Sequence, residues 1–238
     1  MLDEIRLGEI TMLHSVYEHI NSNMYALLTE DEALIIDPHK NEELTDLLKK
    51  KYVKRVVILL THEHHDHTTG VYWYQDQFES TLICQHNTAE YISKRQYLRP
   101  TLIAFILGEE DHINGTHIYE DFKKSFIPRQ YYADITYEEE YSLNWYNYKL
   151  QFYHIPGHSQ GSSLILLNGQ YAFTGDSLLK DLPIIIRFPG SNKADYESIT
   201  MPLLSRLLTS DMTILPGHGA PFVLKEIMVN NQINVQFR

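Results

Sequence analysis

Four times in this chain an apolar, strand-like run ends in a turn that carries histidine or aspartate. The first run, residues 55–60, is rich in β-branched residues and reads as a buried strand. It leads at once into Thr61-His62-Glu63-His64-His65-Asp66-His67, the pattern His-x-His-x-Asp-His. Three further turns follow: Ile155-Pro156-Gly157-His158-Ser159, Phe173-Thr174-Gly175-Asp176-Ser177 and Leu215-Pro216-Gly217-His218-Gly219. Each sets one His or Asp beside glycine. Imidazole nitrogen and carboxylate oxygen are the ligands of zinc and related divalent metals. Strand ends hold such groups on a rigid sheet, where metal and catalytic residues tend to sit. A histidine tract alone is a weak compositional signal. Four ligand-bearing turns in this order point to a metal centre.

This ordered set resembles that of the metallo-β-lactamase-fold hydrolases, a superfamily far broader than the lactamases. The resemblance runs over nearly the whole chain. It begins with the hairpin around Asn23-Met24-Tyr25-Ala26-Leu27-Leu28 and the strand end Leu34-Ile35-Ile36-Asp37-Pro38, and ends at the Pro-Gly-His-Gly turn. It implies an α/β fold, a four-layer αββα sandwich with two face-to-face sheets between outer helices. It also implies a ligand set: His62, His64 and His158 for one metal, Asp66, His67 and His218 for a second, and Asp176 bridging both. Two zinc ions are the implied cofactors, and iron or manganese suits the same donors. With two metals, a bridging hydroxide is the expected nucleophile. Asp66 is then the catalytic residue that orients this hydroxide and shuttles its proton.

Metal-bound imidazoles usually donate their other N–H to a neighbour. Thr61, Asp37 and Ser177 are the candidates for that role. The glycines at 157, 175, 217 and 219 are expected to allow the tight turns that aim the ligands. His65 lies inside the tract but points away in the resembled loop. His19, in the loop before Asn23, is placed to reach the mouth of the site. The other histidines read as surface or core residues.

Within the family, the turns around His158 and Asp176 look most like the glyoxalase-II-like branch. That implies hydrolysis of a thioester or ester/lactone. True glyoxalase II grips glutathione with basic residues in a C-terminal extension. Only twenty residues follow His218 here, and Lys225 and Arg238 are their only basic members. An acyl thioester on another carrier, or a lactone, is therefore at least as well supported. The alternative is an oxidoreductase, a persulfide dioxygenase with one iron on the residues matching His62, His158 and Asp176. A phosphodiesterase or nuclease ranks lower, because the chain carries 20 Lys and Arg against 31 Asp and Glu, a formal charge of −11. Phosphate backbones call for clustered positive charge.

Length and composition fit a single domain over 1–238, with an insertion at about 95–135. The expected substrate is a small-molecule or carrier-bound acyl compound, with no nucleic acid or membrane partner and a homodimer left open. The lone cysteine, Cys84, sits in an apolar strand and reads as a core thiol. No intramolecular disulfide can form, and the first residues lack the pattern of a secretory signal, so a cytoplasmic location is expected.

Helices are expected at 41–50, with Asn41 as N-cap, at 69–78, at 87–94 with Asn87 as cap, around 117–126, and at 195–208. Strands are expected at 9–16, 24–29, 33–37, 56–60, 82–85, 141–145, 148–154, 163–167, 171–173 and 213–215. The insertion is rich in aromatics, among them Tyr97, Phe105, Phe122 and Tyr131. A segment this long is usually functional or carries its own secondary structure. It reads either as a lid or pocket wall, or as a dimer contact or packed surface excursion.

Overall fold

A computed structural model describes residues 1–230 and 232–238. Contacts group the chain into two compact units. One holds Met1–Leu59, His64–Leu82 and Glu90–Asp134, and the other Leu60–Glu63, Ile83–Ala89 and Ile135–Arg238.

The first unit is built on β1 (Asp3–Leu7), β2 (Ile10–Tyr17), β3 (Ser22–Leu28), β4 (Glu32–Ile36) and β5 (Arg55–Leu59). Neighbours are antiparallel up to β4, and β4 runs parallel to β5. The parallel step needs a crossover, and α1 (Glu42–Lys50) supplies it. Asn41 caps α1 by accepting the Leu44 N–H at 2.8 Å, a cap worth about 1 kcal/mol. Glu42 and Glu43 fill its first turn, Lys49 and Lys50 its last, as the helix dipole favours. Leu44 and Leu48 form the buried stripe. β5 is buried from Val56 to Leu59, the near-continuous apolar run of a strand covered on both faces.

α2 (Val71–Gln75) is shorter than the expected 69–78. Gly70 donates its N–H to the Pro38 carbonyl at 2.8 Å, so the residues before α2 dock on the β4 exit instead of starting a helix. β6 (Glu79–Gln85) leads into α3 (His86–Ile92). Asn87 lies inside α3 and is not its cap; the Gln85 side chain accepts the Asn87 N–H instead. The insertion carries α4 (Thr101–Asn114) and α5 (Ile118–Ser125). Ile103, Leu107 and Phe122 form its own small core, joined by Tyr17, Ile20 and Phe126. The insertion is thus packed structure resting on the β2–β3 hairpin.

In the second unit β7 (Ile135–Tyr137) pairs parallel with the last residues of β6, which makes the strand order of the seven-stranded sheet β1 to β7. β8 (Glu140–Trp145), β9 (Tyr148–His154), β10 (Ser163–Leu167), β11 (Tyr171–Gly175), β12 (Thr213–Pro216) and β13 (Phe222–Val223) form a six-stranded sheet in the order β13-β12-β11-β10-β9-β8. β11 and β12 are parallel, and the rest of that sheet is antiparallel. Leu164, Leu166, Ala172, Ile214 and Phe222 build its core with Leu204 and Leu208.

The expected helix at 195–208 is real but interrupted. α6 (Lys193–Asp195) passes into a π turn at Tyr196–Thr200 and then α7 (Met201–Leu207). Pro202 lacks an N–H and cannot donate into a regular ladder there. The Thr200 hydroxyl instead bonds the Pro156 carbonyl, beside the His158 turn. Among the described residues no helix is long and apolar enough to cross a membrane. The mixed α/β class expected from the sequence is what the chain adopts.

Candidate metal centre

Three histidines of the tract, His62, His65 and His67, have distinct ties. In the first unit, His67 is fully buried and its Nδ1 lies 3.0 Å from Asp37 Oδ2. A carboxylate accepts, so Nδ1 carries a proton, and in the neutral ring Nε2 keeps the lone pair a metal would take. That Nε2 faces Asp66 Oδ2 at 3.3 Å. Asp37 stands at φ +51°, in the left-handed region, as β4 ends. Aspartate tolerates that conformation better than most residues, and it turns the carboxylate toward His67. Ser22 donates its hydroxyl to the Asp66 carbonyl at 2.9 Å and fixes the loop from the hairpin side.

His65 turns away, as the resemblance implies. Its Nε2 donates to the Tyr97 carbonyl at 2.8 Å, and its ring stacks on Tyr97 with centroids 4.2 Å apart and planes at 7°. Burial lowers the His65 pKa, so the ring stays neutral. The Tyr97 hydroxyl reaches Thr68 Oγ1, and Phe126 meets His65 edge-on. Two residues of the insertion therefore hold the loop that carries His64, Asp66 and His67. His19 packs edge-on against Tyr17. Burial raises the Tyr17 pKa to about 12, with the Asp66 charge adding to it.

In the second unit, His158 Nδ1 donates to the Ile185 carbonyl at 2.8 Å, which again leaves the lone pair on Nε2. That Nε2 is 3.6 Å from Asp176 Oδ2, and His218 Nε2 is 3.4 Å from the same oxygen. His62 meets His158 ring to ring at 5.0 Å, with its Nδ1 3.1 Å from Thr61 Oγ1. Gly175 has φ +47°, and a Cβ there would lie 2.5 Å from Thr61 Oγ1, so the approach of β11 to the His62 loop requires glycine. Gly157 has φ +139°, and a Cβ there would lie 2.5 Å from Tyr196.

Of the three expected outer partners, Asp37 lies within hydrogen-bond distance of His67 and Thr61 of His62. Ser177 does not: its buried hydroxyl has no partner among the described residues, and its carbonyl accepts from Tyr196. Glu63 was only a spacer in the sequence pattern, yet it is buried. Its Oε2 accepts from Ser159 at 2.9 Å and Thr88 at 3.2 Å, tying the His62 turn to the His158 turn. The one available signal was a glutamate embedded in a ligand tract. Nothing in the sequence pointed to the Ile185 carbonyl or to Tyr97. Cys84 is fully buried and burial pushes its thiol pKa up, which suits a core residue and no nucleophile.

The donor chemistry fits a divalent cation. A histidine whose Nδ1–H is committed outward presents an acceptor at Nε2. For His158 and His67 that acceptor faces a carboxylate oxygen, itself an acceptor. With the ring neutral, two acceptors repel unless a metal ion lies between them; with the ring protonated, the pair is an ion pair that a metal would replace.

Residues 18–218 match the model of the Metallo-beta-lactamase superfamily. A "Probable metallo-hydrolase" of Streptococcus pyogenes serotype M6 is 26% identical over 217 residues, 88% of this chain and 85% of that protein. "Hydroxyacylglutathione hydrolase GloC" of Haemophilus influenzae is 25% identical over 201 residues, 82% of this chain and 84% of that one. Among solved structures, the BLEG-1 B3 metallo-beta-lactamase superposes with a TM-score of 0.64 at 23% identity, covering 97% of this chain and 98% of its own. ETHE1 from Myxococcus xanthus gives 0.61 at 17% identity, covering 92% and 76%. The family model reaches from residue 18 to His218, the last histidine of the four turns, and on that match the chain belongs to the metallo-β-lactamase superfamily.

Proposed function

We propose that this protein is a dinuclear metal-dependent hydrolase that cleaves a thioester or an ester/lactone. Its single strongest support is the pair of close contacts, His158 Nε2 with Asp176 and His67 Nε2 with Asp66, each a nitrogen and a carboxylate oxygen that one cation would join. The hydrolase names of the Streptococcus and Haemophilus relatives support the reaction class.

In this reading His62, His64 and His158 take one metal, Asp66, His67 and His218 the other, and Asp176 both. Zinc is the proposed metal. Bound divalent metals supply Lewis acidity and make water ionise near neutral pH. The protein's own groups do the rest. Asp37, Thr61 and the Ile185 carbonyl lock three imidazoles by their Nδ1 atoms and so aim Nε2. Asp66, seated beside His67 Nε2, takes the proton of the attacking water. Water oxygen bonds to the acyl carbon, the carbon–sulfur or carbon–oxygen bond breaks, and the departing thiol or alcohol takes up a proton. Neither a serine nor a cysteine nucleophile is needed, which agrees with the buried, high-pKa Cys84.

A second reading has one observation in its favour. His62, His158 and Asp176, the three ligands expected of a mononuclear iron persulfide dioxygenase, converge in the same unit. A panel of thioesters, esters and lactones, run beside oxygen uptake with a persulfide, separates the two. The hydrolase reading predicts turnover of at least one acyl substrate, abolished in Asp66→Ala with the circular-dichroism spectrum unchanged. Full activity in that variant, or oxygen uptake alone, would sink it.

A further inference from the structure

The insertion carries a groove for which the hydrolytic chemistry has no use. Arg95 and Arg99 line a cavity of about 700 Å³ together with Tyr91, Gln96, Leu98 and Thr101. That volume lies in the usual range of small-molecule sites. Neither arginine makes an ion pair or side-chain hydrogen bond among the described residues. Arg55 and Arg129, by contrast, are paired with Glu32, Glu79 and Asp76. Both guanidinium groups are exposed, and they lie four residues apart in a chain with a formal charge of −11. No carboxylate lines the groove. Tyr91 is 41% exposed and presents a ring and a hydroxyl. The groove also borders the start of α4, which has fourteen residues, no side-chain cap and no acidic residue in its first turn. The positive end of that helix dipole therefore adds to the two arginines.

The groove is joined to the catalytic loop through one residue. Tyr97, between Gln96 and Leu98, stacks on His65 and bonds Thr68, and Tyr91 packs edge-on against Tyr97 at 5.9 Å. A ligand seated on the arginines thus rests on the same aromatic cluster that steadies His64, Asp66 and His67.

We propose that this groove binds the anionic part of the carrier that delivers the acyl group, a phosphate or carboxylate gripped by Arg95 and Arg99. Guanidinium forks pair with both anions, and the bonds are charge-assisted. The proposal rests on the hydrolase reading only in naming the ligand a substrate carrier; the binding itself is independent of turnover. It places specificity in the insertion.

Calorimetric titration of the metal-loaded protein with coenzyme A, glutathione and pantetheine tests it. Coenzyme A offers phosphates, glutathione carboxylates, and pantetheine a thiol with no anion. The expected result is that one of the two anionic thiols binds, that it binds about tenfold or more weakly to R95A/R99A, and that added salt weakens it. Which of the two binds identifies the anion. Pantetheine should be indifferent to the substitution, and R95K/R99K should recover part of the affinity. Equal binding of the anionic thiols to wild type and R95A/R99A, or binding of neither, would overturn the groove. Anion binding without hydrolysis of the matching thioester would instead leave the groove standing and count against the hydrolase. Metal content, measured on each variant, must equal that of wild type; a loss would assign the arginines a structural role and overturn the proposal.

Discussion

The loop from Thr61 to Thr68 and the insertion that follows α3 are both rich in rings and polar groups, yet they are built on opposite plans. In the loop almost every polar atom is spoken for. His67 is tied to Asp37, His65 to Tyr97, His62 to Thr61, Glu63 to Ser159 and Thr88, and the Asp66 carbonyl to Ser22. In the insertion the buried part is small, and Phe105, Ile113 and Tyr132 are exposed at 57, 77 and 70%. A ligand set must be held to a fraction of an ångström, and supporting partners do that. A recognition surface must stay open. Under the function proposed above, the difference would separate where chemistry is performed from where a substrate is chosen. Tyr97 is the point at which the two regions meet.

The comparison breaks most severely at the ligands themselves. Asp176→Ala or His158→Ala removes a donor that no neighbour replaces. Turnover should fall by about three orders of magnitude or more, and equilibrium dialysis should show metal lost. Retention of full metal content would mean the site does not use these residues.

The joint comes next. Tyr97→Ala removes the stack on His65 and the bond to Thr68 without touching a ligand. Direct partners of metal ligands are worth about 10- to 100-fold in affinity; Tyr97 acts one contact further out, so chelator competition should show a weakening below about tenfold. Tyr97→Phe keeps the stack and should lose less. Equal behaviour of both variants and wild type would detach the insertion from the loop.

A third effect lies behind the loop. His39 follows the Asp37-Pro38 turn, is buried, and accepts or donates to Ser15 at 3.0 Å. Burial, with the His14 charge second, pushes its pKa from 6.5 to about 3. Between those values the unfolded chain binds a proton that the folded chain refuses. Stability is therefore full above the unfolded pKa and falls as pH drops below it, by about 1.4 kcal/mol per pH unit for one such group. Urea melts at pH 7 and pH 5 on wild type and His39→Gln should show the larger pH dependence in wild type. Identical slopes would remove His39 as the cause.

The smallest effect belongs to the open surface. Phe105→Ser and Ile113→Thr should change stability by less than about 0.5 kcal/mol in thermal melts and leave metal binding untouched. A larger loss would mean this face is covered.

The strand ends that lead into the His- and Asp-bearing turns were legible where the apolar run is nearly unbroken, as in β5 and β11. Asn41 and its flanking charges announced α1 for equally local reasons. What the sequence hid was set by contacts distant along the chain. Glu63 meets Ser159 across 96 residues and His158 meets Ile185 across 27, and no local pattern encodes such pairs. α2 is short because Gly70 binds Pro38, and the helix after Asn192 contains a π turn because Thr200 reaches Pro156. β1 went unread because only Leu7 of its five residues is buried, so it lacks the apolar signal of a strand.

The central claim is that two metals act together on one acyl substrate. Elemental mass spectrometry on untagged protein, normalised to amino-acid analysis, tests it most directly. The account predicts two divalent metal ions per chain, falling in Asp176→Ala together with hydrolysis. One iron per chain, unchanged by loss of Asp66, would contradict it and transfer the site to dioxygen chemistry.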